Sequence, residues 1–139
     1  MGKLIFKRDK YGYYNNEEEI EDVGSYHMEH FLTSEVGGSS GSFWISVLLC
    51  PNNNELFGDT TYLRKEEKKV YLGWNVIHED PYPDPNEYQT TKEELLKAIY
   101  AWVELRKENV KTIILEVNDE NISIYSEEDT TYVCSKIQS

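Results

Sequence analysis

The stretch from Thr91 to Ile124 constrains the fold more than any other part of the chain. Thr91 opens it as a helix N-cap, and Glu94, three residues on, completes the S/T-x-x-E capping pattern. Leu95, Leu96, Ile99, Trp102 and Val103 then recur at steps of three and four, which places them on one face of a helix. Glu93 and Glu94 lie at its start and Arg106 and Lys107 at its end, the polarity that suits the helix dipole. Asn109 is a natural stop. The period then changes to two: Ile113, Leu115 and Val117 share one side of a strand, NDEN (118–121) turns the chain, and Ile122 and Ile124 resume the alternation. A hairpin packed against the capped helix buries both apolar faces.

The rest of the chain supplies further strands. KLIFK (3–7) reads as a first strand, with Tyr11 to Tyr14 as its partner and Gly12 near the turn. Ile20, Val23, Phe31 and Leu32 fit a helix over about 24–34, with Gly24 counting against it. GGSSGS (37–42) is a flexible connector and lacks the Gly-Lys-Ser/Thr ending of a phosphate loop. FWISVLLC (43–50), rich in aromatic and β-branched residues and ended by Pro51, reads as a buried strand. Thr60–Arg64 and Lys69–Trp74 form a hairpin across the charged RKEEKK turn. HEDPYPDPNEY (78–88) holds three of the four prolines and is an irregular loop, and TTYVC (130–134) adds an edge strand. With 139 residues, no repeat and no long linker, the expectation is a single α+β domain over 1–139. Its core is an antiparallel sheet of about five to seven strands with one or two helices packed on one face.

Leu4, Ile5 and Phe6 are too short an apolar run for a secretory leader, and Phe43–Cys50 is too short to span a bilayer. These features imply a cytoplasmic protein in which Cys50 and Cys134 are reduced thiols.

Charge carries the functional information. Acidic side chains outnumber basic ones 26 to 14, a net charge of -12. That balance excludes nucleic-acid binding by phosphate neutralisation and docking on an anionic membrane. The acids are also segregated. Between Tyr11 and Leu63 there are nine acids and no Lys or Arg, with the densest run at Glu17, Glu18, Glu19, Glu21 and Asp22. Residues 79–91 add Glu79, Asp80, Asp84 and Glu87, and residues 112–135 carry six more, again unopposed. Tyr11, Tyr13, Tyr14 and Tyr26 flank the first run, and Tyr82 and Tyr88 flank the second. Carboxylates steer a cationic partner inward and tyrosines supply contact area, the composition of a protein-binding face.

Catalytic motifs do not emerge. No serine sits in G-x-S-x-G, and with 26 acids carboxylate pairs arise by chance. His27 and His30 form an H-x-x-H that His78 or a neighbouring acid would complete as a metal site, but the zincin spacing is different. The expectation is a non-enzyme without cofactor or metal.

The segments GSFWISVLLC and VYLGW and the helix–strand ending TTKEELLKAIYAWVELRKENVKTIILEV are similar in style to small immunity proteins of bacterial toxin systems. The resemblance is one of pattern over roughly half the chain. It implies a protein that binds and neutralises a cognate toxin domain, often a basic nuclease, by occluding or locking it. On the charge argument the contacts are Glu17, Glu18, Glu19, Glu21, Asp22, Asp80, Tyr82, Asp84 and Glu87. The partner is then a cationic protein, with no direct nucleic-acid or membrane contact, and the chain itself is a monomer or homodimer. Two other readings use the same residues: a phage-type DNA mimic that inhibits a host defence nuclease, and a small metal-binding enzyme built on His27, His30 and His78.

Overall fold

In a computed structural model, residues 2–51, 55–75 and 83–127 are described. The strands are β1 (Gly2–Arg8), β2 (Tyr14–Asn16), β3 (Glu55–Phe57), β4 (Thr61–Glu66), β5 (Lys69–Trp74), β6 (Tyr88–Thr91), β7 (Thr112–Asn118) and β8 (Asn121–Tyr125). The helices are α1 (Val23–His30), α2 (Gly41–Leu49) and α3 (Lys92–Lys107), and α1 runs on into a wider π-helical turn, Phe31–Val36. The strands form two antiparallel sheets, ordered β2–β1–β7–β8 and β3–β4–β5–β6. The expected α+β class is therefore correct. The single sheet of five to seven strands with one or two helices is replaced, among the described residues, by two sheets of four strands and three helices.

The helices tie the sheets together. α1 touches β1 and β7 of the first sheet and β5 and β6 of the second, while α3 touches β8, β5 and β6. Leu4 and Phe6 on β1, Ile113, Leu115 and Val117 on β7, and Ile122 and Ile124 on β8 are buried at alternate positions, as a period of two requires. Leu95, Ile99, Trp102 and Leu105 of α3 meet them, and Leu63, Val70, Leu72, Met28 and Phe31 join the same apolar cluster. The hairpin against the capped helix is thus as the sequence reading placed it. Only half of the capping pattern is reciprocal. Thr91 Oγ1 accepts the Glu94 N–H (3.1 Å), but the Glu94 carboxylate reaches across to accept the Ile122 N–H (2.8 Å). Nearby, Tyr88 Oη donates to the Asp119 carbonyl and Thr90 Oγ1 to the Glu120 carbonyl, each at 2.7 Å. These bonds fasten the β7–β8 turn to the second sheet. Burial pushes the Tyr88 phenol up to about 12.

Several sequence expectations change. FWISVLLC is not a strand: it lies in α2, where Trp44, Val47 and Leu48 face inward and Phe43, Ser46 and Leu49 outward. A short, continuously apolar run fits a buried strand and a buried helix alike, so its period alone does not separate them. Lys65 Nζ donates to the carbonyls of Val47 and Cys50 (2.6 and 2.5 Å), a cation at the C-terminal end of α2 where the dipole favours one. Gly24, which counted against α1, permits it: a Cβ there would lie 2.7 Å from Val117 Cγ1 and 3.0 Å from the Tyr88 ring, so only glycine lets the helix sit on the sheets. The partner of β1 begins at Tyr14 rather than Tyr11, because residues 9–13 form the turn. Asp9 Oδ1 accepts the N–H groups of Tyr11 (2.9 Å) and Tyr13 (3.0 Å) there. β3 and β6 were not anticipated. The expected edge strand at 130–134 lies outside the described residues.

A buried carboxylate holds the β3–β4 turn. Glu35, in the π-helical turn, accepts the backbone N–H groups of Asp59 (3.1 Å), Thr60 (2.7 Å) and Thr61 (3.0 Å) and the Thr60 hydroxyl (3.2 Å). Glu35→Gln turns an amide NH2 towards these donors, and we expect a loss of about 2–3 kcal/mol, since unmade buried bonds to a charged group cost that much. Urea unfolding would register it as a lower midpoint with an unchanged slope; an unchanged midpoint would contradict the clasp.

Candidate functional site

The acidic loop between β2 and α1 leaves Glu17, Glu18, Glu19 and Glu21 exposed. Asp22 ends it as the N-cap of α1, its carboxylate accepting the Ser25 N–H at 3.0 Å. Facing it is the segment 83–87 that leads into β6. Between them lies a cleft of about 390 Å³. Ile20, Glu21, Asp22 and Val23 form one wall and Asp84, Pro85 and Asn86 the other; Tyr26, His27 and Trp74 complete it. Three of the acids singled out from sequence, Glu21, Asp22 and Asp84, therefore line one cleft. Glu17 and Glu18 line a separate depression with Ile5, Lys7 and Asn15. Asp80, Tyr82 and the third histidine, His78, lie outside the described residues.

Asp84 and Glu87, three residues apart, have different surroundings. Arg64 clamps Glu87 with two parallel bonds, Nε to Oε2 and Nη2 to Oε1, both 2.8 Å. Tyr62 Oη donates to Glu87 Oε2 (2.5 Å) and accepts the Asp84 N–H (2.7 Å). The Glu87 carboxylate raises the pKa of Arg64, and burial, with the Glu87 bond, raises that of Tyr62. Tyr62 can lie flat across the hairpin because its cross-strand partner is Gly73; a Cβ there would stand 2.3 Å from the phenol ring. Glu87 thus anchors the segment to β4. Asp84 instead accepts two neutral backbone donors, the N–H groups of Trp74 and Asn86, both at 2.9 Å. Its carboxylate also lies 3.8 Å from His27 Nε2, and no Lys or Arg among the described residues pairs with it.

His27 is 2% exposed, and its Nε2 lies 2.8 Å from the Asn86 carbonyl. A carbonyl only accepts, so Nε2 carries the proton and donates; Nδ1 is left as a buried lone pair with no partner among the described residues. Burial lowers the His27 pKa from its usual 6.5, with His30 adding to this and the Asn86 bond, Asp84 and Glu87 opposing it. The sign follows. Above pH 6.5 the ring is neutral in both folded and unfolded chains; as pH falls below that, the unfolded chain takes up the proton first. Stability attributable to His27 is therefore present above the unfolded value and lost as pH falls through the lowered folded one. Urea midpoints should drop more steeply from pH 7 downwards in the wild type than in His27→Gln; parallel profiles would contradict the assignment.

The tyrosines divide likewise. Tyr14 is core, its hydroxyl donating to the Val110 carbonyl at 2.5 Å, and Tyr88 is buried at the sheet junction. Tyr11 and Tyr13 are 73% and 63% exposed, but at the opposite end of β1 from the cleft. At the Gly2 end, Asp22 and Ser25 crowd the strand; at the Arg8 end, Arg8 N–H donates to the Lys111 carbonyl, and Lys7 and Lys10 stand alongside. Seven residues at about 3.3 Å each separate the two ends. Glu21, Asp22 and Asp84 thus stand at the cleft, while Arg8, Lys10 and Lys111 lie at the other end of β1. Trp74, Tyr26 and His27 were not foreseen as a set. Tyr26 is 4.5 Å from the His30 ring and 6.0 Å from Trp74, centroid to centroid, and His30 is 5.2 Å from Trp74.

Among the described residues no group of three or more His, Cys, Asp or Glu could hold a metal ion, and no helix is long and apolar enough to cross a membrane. No family model, curated protein or solved structure matches this chain.

Proposed function

We propose that this chain is an immunity-type inhibitor that binds and neutralises a cationic toxin domain, such as a nuclease, through its acidic end. The observation that carries the reading is the gathering of Glu21, Asp22 and Asp84 around one cleft that, among the described residues, no Lys or Arg lines, with Tyr26 and Trp74 beside them. The exposed run Glu17–Glu19 extends the negative field beyond the cleft. Such a field steers a cationic domain into place and sets its orientation, and aromatic anchors then slow its release. Inhibition follows where these carboxylates occupy the positions that substrate phosphates would take.

The test is capture from a lysate of the native organism at low salt, followed by mass spectrometry of what elutes as salt rises. The expected result is one basic protein with a nuclease or other toxin domain, released by salt. A neutral or acidic partner that resists salt would overturn the reading.

A further inference from the structure

We propose that the cleft between α1 and the 83–87 segment is a receptor for one arginine side chain of the partner, an inference that rests on the inhibitor reading. Its chemistry is that of a cation site with flat walls. Glu21, Asp22 and Asp84 supply negative charge, and Trp74 and Tyr26 make the lining aromatic. The comparison of Asp84 with Glu87 is informative. The chain neutralises Glu87 internally with Arg64, and that guanidinium also lies 4.0 Å from the Tyr71 ring centroid. Asp84 faces the cleft with backbone N–H groups as its bonded partners; His27 Nε2 lies 3.8 Å from its carboxylate, and no Lys or Arg stands beside it among the described residues. An arginine entering from outside would repeat at Asp84 and Trp74 the arrangement that Arg64 makes at Glu87 and Tyr71.

A second observation points to a hydrogen-bond donor. His27, in the cleft wall and almost fully buried, keeps Nδ1 as an acceptor with no partner among the described residues. Guanidinium brings five N–H donors in a planar fork, stacks on aromatic faces and sheds water more easily than an ammonium group. Those properties fit an acidic and aromatic cleft better than the compact, strongly hydrated charge of lysine. The volume, about 390 Å³, lies at the small end of the ligand-pocket range.

The intact chain can be tested without its partner. N-acetyl-arginine methylamide and its lysine analogue are titrated separately while backbone amide shifts are followed by NMR. A single side chain should bind the isolated site at about 1–10 mM. The expected result is saturating shifts centred on Tyr26, Trp74 and Asn86, the arginine probe being the tighter, with several-fold weaker binding in Glu21→Gln, an exposed position that leaves the fold intact. Linear, unsaturated shifts, or equal responses to both probes spread over Glu17–Glu19, would overturn the proposal. Saturation in the cleft combined with capture of an acidic partner would overturn the inhibitor reading and leave the arginine site standing. Capture of a basic partner without saturation would do the reverse.

Discussion

Trp102→Ala should destabilise the protein by about 3–5 kcal/mol, the usual cost of emptying a buried aromatic site. Trp102 is fully buried on α3, meets the Phe6 ring edge-on at 5.2 Å and Tyr14 at 6.1 Å, and its Nε1 donates to the Gly37 carbonyl at 3.1 Å. The substitution therefore opens a cavity where α3, the first sheet and the turn before α2 meet, and also removes the donor to Gly37. Against a total of about 5–15 kcal/mol for a domain of ordinary stability, that loss brings the protein close to unfolding. Tyr100→Ala, two residues earlier on the 46% exposed side, is the control and should shift stability by no more than about 0.5 kcal/mol. Equal urea midpoints for the two variants would mean that the core is not organised around Trp102.

Reversing the charge of Glu17, Glu18 and Glu19 to Lys should slow association with the captured partner by about 10- to 100-fold at low salt, within the range that steering contributes. These three side chains are exposed and none of them caps a helix or clamps a strand, so the variant should unfold at the same urea concentration as the wild type. Reversing Lys10, in the turn beyond the far end of β1, changes the net charge in the opposite direction without touching the cleft or the acidic loop. Stopped-flow mixing distinguishes the two variants. A slow phase confined to the acidic-loop variant supports a located field; effects of opposite sign in proportion to each variant's change in net charge would argue against one.

What the sequence disclosed depended on how local the signal was. The helix from Lys92 and the hairpin after it were legible because each carries its own period and its own terminators, Thr91 at one end and the NDEN turn at the other. α2 was misread because a short run rich in aromatic and β-branched residues and ended by Pro51 suits a buried strand as well as a helix, while the burial of Trp44, Val47 and Leu48 is decided by contacts with distant segments. The role of Gly24 was likewise set by Val117 and Tyr88, far along the chain. The site shows the same limit. The acidic runs were visible, and Glu21, Asp22 and Asp84 do meet. The division of labour between Asp84 and Glu87 was not visible, because it depends on Arg64 and Tyr62 reaching only one of them. Tyr14 and Tyr11 differ for the same reason: one ring enters the core beside Trp102 and the other is held out by the Asp9 turn.

The decisive measurement is the association rate constant of the chain with its captured partner as salt is raised from about 50 to about 300 mM, a range over which the screening length shortens from beyond to below about 10 Å. If carboxylates around the cleft steer a cationic domain, the rate should fall steeply across that range, and in the Glu17–Glu19 reversal it should start low and barely change. A wild-type rate that stays flat would mean that the acidic end only keeps the protein in solution.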